Sequence, residues 1–207
     1  FCMKYSKDEL CLDCRRKLIL SEAAAEGTGG VYRYGELYCF GKYIGILRDR
    51  FIEYKFKKKL WLGVHFGRLM FESFKNSLIK ASLDLVTYVP VSKGRFKDRG
   101  FDQSFEMASA IAKKLHVPCI GLLKCVNGSV TQSGLKRNMR ISKVKGRFEL
   151  KNFECDITGK RILLVDDIFT TGATLNECAY LLSEGGAVSV DGMVFACLLY
   201  TSDAADE

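Results

Sequence analysis

No stretch of about 20 consecutive apolar residues occurs anywhere in the chain, so no membrane-spanning helix is expected. No secretory signal is visible in the sequence, and none is expected. Histidine is scarce: His65 and His116 stand alone with no partner at ligand spacing, so both read as structural. The single tryptophan, Trp61, lies between Leu60 and Leu62 and reads as core rather than as a stacking platform. No internal repeat is visible, which excludes a repeat architecture. What remains is a chain of 207 residues, 48% of them hydrophobic, enough for one main domain with a small appendage.

Phe1, not Met, opens the chain, and the native start is expected to lie upstream. The net charge of +8 favours anionic partners: nucleic acid, phosphorylated metabolites or a membrane surface. Nine cysteines is an odd number for a disulfide framework. Cys119, Cys125, Cys178 and Cys197 sit in apolar surroundings at irregular spacing and read as buried thiols of a reduced, cytoplasmic compartment. Cys2, Cys11 and Cys14 differ. Cys11-x-x-Cys14 has the reach to grip one metal ion from a tight turn, with Cys2 as a third ligand and Arg15-Arg16-Lys17 beside it. Cys39 reads as a buried residue of the first strand. Residues 1–30 therefore form a partial Cys-rich segment whose small, Gly-rich stretch 21–30 is a linker. The main domain is expected over 31–200, and the tail 201–207 fits nothing before it, reading as non-native or disordered.

Within the main domain, Phe66, Met70, Phe74 and Leu78 recur every four residues, which predicts one helix face. Leu83 to Val89 predicts a strand running into a loop at Pro90, and Phe105, Ala108, Ala112 and Leu115 predict the next helix. Residues 127–147 are polar and predict a long loop. Ile162–Val165 is wholly apolar, as buried parallel strands tend to be. Leu175, Cys178, Ala179 and Leu182 predict a helix stopped by Gly185-Gly186, and Val188 to Phe195 predicts a further strand. Strands alternating with helices imply an α/β fold with a central parallel sheet flanked by helices.

The predicted strand Ile162–Val165 ends in Asp166 and Asp167, and the turn Thr170-Thr171-Gly172-Ala173-Thr174 follows, leading into a helix. In open α/β sheets, ligands bind at the carboxyl ends of strands. A helix start offers unpaired N–H groups and the positive end of a dipole, which suit a phosphate monoester. The threonine hydroxyls add donors, and Gly172 lacks the Cβ that would block a close backbone approach. Paired carboxylates suit the hydroxyls of a sugar and can help hold hydrated Mg²⁺. An ordinary strand–helix turn would explain Asp-Asp or Thr-Thr-Gly alone; the complete string after a hydrophobic strand is more specific.

That string resembles the phosphoribosyl-pyrophosphate motif of type I phosphoribosyltransferases, and the chain is similar to the ComF competence family within them, over most of 31–198. Tyr43 to Lys59 resembles that family's opening segment, with Lys55-Phe56 at its Lys-aromatic position. Val89 to Arg95 and Arg99-Gly100-Phe101-Asp102-Gln103 resemble its Pro-x-Ser…Arg…Arg-Gly-Phe-Asn-Gln segment, with Asp102 where Asn is usual. Gln132, Leu135, Arg140, Val144 and Phe148 resemble its flap, with Lys143 in place of Asn. The resemblance implies a phosphoribosyl-pyrophosphate site with Mg²⁺. Asp166 and Asp167 hold the ribose, Thr170, Thr171, Gly172, Ala173 and Thr174 the 5-phosphate, and Ser92, Lys93, Arg95 and Arg99 the pyrophosphate. Arg140 serves with the two aspartates in catalysis if turnover occurs. Arginine forks suit phosphate oxygens; a solvated basic loop is the less favoured account of the residue types at 92–99. Lys136–Arg147 carries six basic residues and no acid, and is a candidate to cover the ligand or to touch nucleic acid. Relatives beginning with paired Cys-x-x-Cys units imply Zn²⁺ in the intact N-terminus. The resemblance also implies a role in DNA uptake, with single-stranded DNA and other uptake proteins as partners. An active phosphoribosyltransferase with an unknown acceptor, and a non-catalytic sensor of phosphoribosyl pyrophosphate, remain as alternatives.

Overall fold

The computed structural model describes residues 33–57, 59–126, 146–151 and 155–198. The expectations at Cys2, Cys11, Cys14, Gln132, Leu135, Arg140, Lys143 and Val144, and at both termini, lie outside these residues. In chain order the elements are β1 (Leu37–Lys42), α1 (Gly45–Phe56), α2 (Trp61–Lys80), β2 (Leu85–Tyr88), α3 (Lys93–Arg99), α4 (Gln103–Leu115), β3 (Leu123–Cys125), β4 (Phe148–Leu150), β5 (Arg161–Phe169), α5 (Ala173–Glu184) and β6 (Ser189–Cys197).

The central sheet has the order β1-β6-β5-β2 and is parallel throughout. Beyond β2, the Val86 N–H donates to the Pro118 carbonyl and the Ile120 N–H to the Val86 carbonyl, both at 2.9 Å, so a short stretch around Cys119 continues the sheet. Helices cover both faces, as a parallel sheet requires. Side-chain alternation along β5 sorts the core: Leu163 and Val165 pack with α1, α2 and α4, whereas Ile162 and Leu164 pack with α5. Gly63 and Gly67 let α2 lie close to its neighbours. A Cβ on Gly67 would stand 2.5 Å from the Met107 carbonyl oxygen and 2.8 Å from Ala110 Cβ of α4. β3 and β4 form a separate antiparallel pair.

The topology sets the place of a site. From β2 the chain passes through α3 and α4 to the stretch near Cys119, on one side. From β5 it passes through α5 to β6, on the other. The connections leaving the carboxyl ends of these two adjacent strands therefore diverge, and a crevice opens between them.

The predicted face of α5 (Leu175, Cys178, Ala179, Leu182) is buried as expected, and the helix ends before Gly185, with Gly186 at φ 100°. The predicted face of α2 also holds, with Phe66, Met70 and Leu78 buried and Phe74 at a local kink. His116 is structural: at φ 58° it closes α4 in the left-handed region. Five expectations are corrected. β5 does not stop at Val165 but runs to Phe169, because Val194, Ala196 and Cys197 of β6 keep pairing with it past the aspartates. The stretch Ser92–Arg99 is not a loop: Ser92 Oγ accepts from the Arg95 N–H at 3.4 Å and caps α3. Trp61 is 51% exposed at the first turn of α2, because the inward positions there are Leu62 and Phe66. Phe105 points outward, and α4 buries Met107, Ala108, Ile111 and Ala112 instead. Cys197 is not a free thiol: β1 and β6 are neighbours, and they bring Cys39 and Cys197 together as a disulfide with Cα atoms 6.4 Å apart. Cys119, Cys125 and Cys178 are free, with Cys178 fully buried.

Candidate active site

Asp166 and Asp167 lie in the last turnings of β5, beside the crevice. Each carboxylate folds back onto the next backbone amide: Asp166 Oδ1 accepts from Asp167 N–H at 2.8 Å and Asp167 Oδ1 from Ile168 N–H at 2.6 Å. Their remaining partners differ. Asp167 Oδ2 pairs with Lys55 Nζ of α1 at 2.6 Å, and that ammonium also lies 4.4 Å above the Phe51 ring. Asp166 Oδ1 receives a longer hydrogen bond, 3.4 Å, from Ser104 Oγ of α4. Burial, then the charge of Asp167, pushes the Asp166 carboxyl well above the usual carboxylate range; the Asp167 N–H and Lys55 oppose this only in part. The two acids are therefore unequal: both are half-buried, but Asp167 is charge-paired with Lys55, whereas Asp166 has the Asp167 amide and the Ser104 hydroxyl.

The turn that follows carries Gly172 at φ 75°, and its carbonyl accepts from Asn176 N–H at 2.8 Å as α5 begins. No side chain caps this helix; Thr171 Oγ1 reaches the Ala173 N–H at 3.4 Å. A glycine in the left-handed region opens a helix whose start no side chain caps, and a helix start of this kind suits an anion.

On the opposite wall, Asp102 organises the end of the β2 connection. Its carboxylate accepts from Val91 N–H (3.0 Å), Ser104 N–H (3.0 Å) and Phe105 N–H (3.2 Å), so it both caps α4 and pins the chain leaving β2. Burial raises its pKa, the three amides opposing. Arg99 is half-buried. Its Nη1 donates to Gln103 Oε1 at 2.8 Å, and its guanidinium lies 5.9 Å from the centre of the Phe56 ring. Burial lowers its pKa and the like charge of Arg95 adds to this, while Asp167 works in the opposite sense. The structure thus brings Arg99, Lys55, Asp166 and Asp167 to one crevice with the Thr170–Thr174 turn. Lys93 and Arg95 are exposed on α3, and Ser92 is occupied as its cap. Among the described residues, no group of three or more His, Cys, Asp and Glu is placed to hold a metal ion.

Gln103, marked in the sequence only as the end of the Arg99–Gln103 segment, and Ser104, not marked there at all, also build the site. With Thr87 they are the buried polar residues of the described core. The signal available was their place directly after Asp102 at a helix start.

Residues 102–203 match the phosphoribosyl transferase domain family. Among curated proteins, the chain is 27% identical to competence protein F of Haemophilus influenzae over 204 residues, covering 89% of each. It is 29% identical to competence protein ComFC of Streptococcus pneumoniae over 91% of this chain and 76% of that one. It is 37% identical to ComFC of Bacillus subtilis, over 49% of this chain and 40% of that protein. A solved purine phosphoribosyltransferase from Pyrococcus horikoshii overlays with a TM-score of 0.42 at 18% identity, covering 69% of this chain and 78% of that one; this overlap is too loose to bear on function. No described helix is long and apolar enough to cross a membrane.

Proposed function

Because residues 102–203 match the phosphoribosyl transferase domain family and the chain is similar to competence protein F and ComFC over most of its length, we propose that it binds phosphoribosyl pyrophosphate with Mg²⁺ in the crevice between β2 and β5 and serves DNA uptake in competence. The observation that carries this reading is the meeting, at one topological switch point, of the Asp166–Asp167 pair, the Gly172 turn and Arg99. The amides around Gly172 take the 5-phosphate, Asp167 and Asp166 the ribose diol, and Arg99, with Arg95 and Lys93 behind it, the pyrophosphate. The oxygen donors present suit Mg²⁺, a hard cation that keeps waters and shares carboxylates with phosphate oxygens. Bound there, it neutralises charge on the pyrophosphate. Lys55 is the competitor: it holds Asp167 at 2.6 Å, and the diol displaces that pairing. Arg140 acting on the ligand, and Zn²⁺ at Cys2, Cys11 and Cys14, belong to the same proposal.

Calorimetric titration with phosphoribosyl pyrophosphate tests it. Saturable binding that strengthens with Mg²⁺ and is lost in Asp167→Asn is expected; no heat with or without Mg²⁺ overturns it. Pyrophosphate release on adding a nucleobase distinguishes an enzyme from a sensor.

A specific surface supports the DNA role. Phe56 is 70% exposed and Phe96 51% exposed; Arg99 lies over the Phe56 ring and about one helical turn after Phe96 on α3. Lys57 follows Phe56 in the chain, and α3, which carries Phe96, also carries Lys93, Arg95 and Lys97. Aromatic faces interleaved with cations suit single-stranded nucleic acid. Affinity for a labelled oligonucleotide should fall steeply with salt, and Phe56→Ala with Phe96→Ala should weaken it by about 1–3 kcal/mol for each stacked base lost. An unchanged dissociation constant in the double variant removes this surface from the argument.

A further inference from the structure

We propose that Gln103 and Ser104, consecutive and buried at the first turn of α4, are positioning residues that brace Arg99 and Asp166 against each other across the crevice. Gln103 is wholly buried and Ser104 is 2% exposed. Buried polar side chains persist where their hydrogen bonds are used. Both polar atoms of the Gln103 side chain, and its backbone carbonyl, are hydrogen-bonded. Its Oε1 accepts from Arg99 Nη1 at 2.8 Å, its Nε2 donates to the Phe101 carbonyl at 3.4 Å, and its backbone carbonyl accepts from the Tyr54 hydroxyl at 3.1 Å. Tyr54 is itself locked among Phe51, Phe66 and Phe101, with ring centres 5.8, 5.6 and 5.2 Å away, so the amide that aims Arg99 is anchored in the core. One residue on, the Ser104 N–H is capped by Asp102 while its hydroxyl donates to Asp166. A single helix start thus touches both walls. Through Asp102 it holds the chain leaving β2 at Val91, through Gln103 it sets the guanidinium of Arg99, and through Ser104 it reaches the β5 carboxylate.

The inference rests on the phosphoribosyl-pyrophosphate reading and refines it, because the two residues should act on different parts of the ligand. Gln103 serves the pyrophosphate side and Ser104 the ribose side. A residue that merely filled the core would affect every ligand alike.

The test is calorimetric titration of wild type, Gln103→Met and Ser104→Ala with phosphoribosyl pyrophosphate and with ribose 5-phosphate, each with Mg²⁺. Gln103→Met should weaken phosphoribosyl pyrophosphate about tenfold and leave ribose 5-phosphate as in wild type, since the latter lacks the group Arg99 holds. Ser104→Ala should weaken both ligands. A double cycle of Gln103→Met with Arg99→Lys should be non-additive for phosphoribosyl pyrophosphate, as expected of groups acting as a unit. If Gln103→Met does not fold, Gln103→Asn, an amide too short to reach Arg99, replaces it. Wild-type affinity for phosphoribosyl pyrophosphate in the Gln103 variant, or an equal loss of both ligands, overturns the brace while the functional reading stands. A wild type that binds neither ligand retires both.

Discussion

Two residues of the crevice carry tensions that a substitution can release. Gly172 sits at φ 75°, where a side chain costs about 1–2 kcal/mol. Gly172→Ala should therefore lower stability by that amount and also place a methyl group at the turn where phosphate is proposed to bind. Thermal unfolding and ligand titration of one sample separate the two effects. Asp166 carries a second tension. Its folded pKa is raised, so between the ordinary carboxylate range and that higher value the folded state holds more protons than the unfolded one. By linkage, its contribution to stability declines as pH rises through that window. The groups facing it are Asp167 beside it, Lys55 from α1, Asp102 from the α4 cap and Cys178 from α5. Asp166→Asn should remove this decline and melt higher than wild type at neutral pH, while losing the sugar phosphate. Melting temperatures at pH 5 and pH 8 check it; parallel curves for the two proteins would show that Asp166 stores no such strain. His65 acts in the opposite sense. Burial lowers its pKa from 6.5 to about 4, so stability should fall as pH drops through that interval, and His65→Gln should flatten the acid limb.

Among the elements, the contact of α2 with α4 positions the brace. Gly67 permits it, since a Cβ there meets the Met107 carbonyl and the Ala110 methyl group. Gly67→Val should push α4 outward and cost about 1–3 kcal/mol, read as a lower midpoint in denaturant. Because α4 carries Asp102, Gln103 and Ser104 at its start, the same variant should weaken phosphoribosyl pyrophosphate more than a core substitution of equal cost on α5. Helix existence was legible from periodicity here, and the face of α5 was legible residue by residue. The face of α4 was read wrongly at Phe105, because an aromatic at a helix start can turn outward. Phe105 does so against Tyr88, their ring centres 5.3 Å apart.

For the whole molecule, ligand that binds only the folded chain must raise its stability by mass action. At 100 times its dissociation constant the gain is about 2.7 kcal/mol, or several degrees of melting temperature for a domain of this size. A shift with phosphoribosyl pyrophosphate that requires Mg²⁺ is the expected outcome. No shift at millimolar ligand would count against the crevice as its site.

The amino-acid sequence by itself determined the alternation of strands and helices, the burial of Ile162–Val165 and the identity of the acidic and glycine-containing turn. Each depends on local periodicity or on backbone freedom within a few residues. Only the tertiary structure decided how far β5 extends, that Cys39 meets Cys197, and that Asp166 and Asp167 answer to different partners. It alone placed Gln103 and Ser104 between the two walls. Those outcomes depend on which strands become neighbours and on which helix start faces them. Pairing energy and burial between residues some 60 to 160 positions apart set that arrangement, and no local pattern records it.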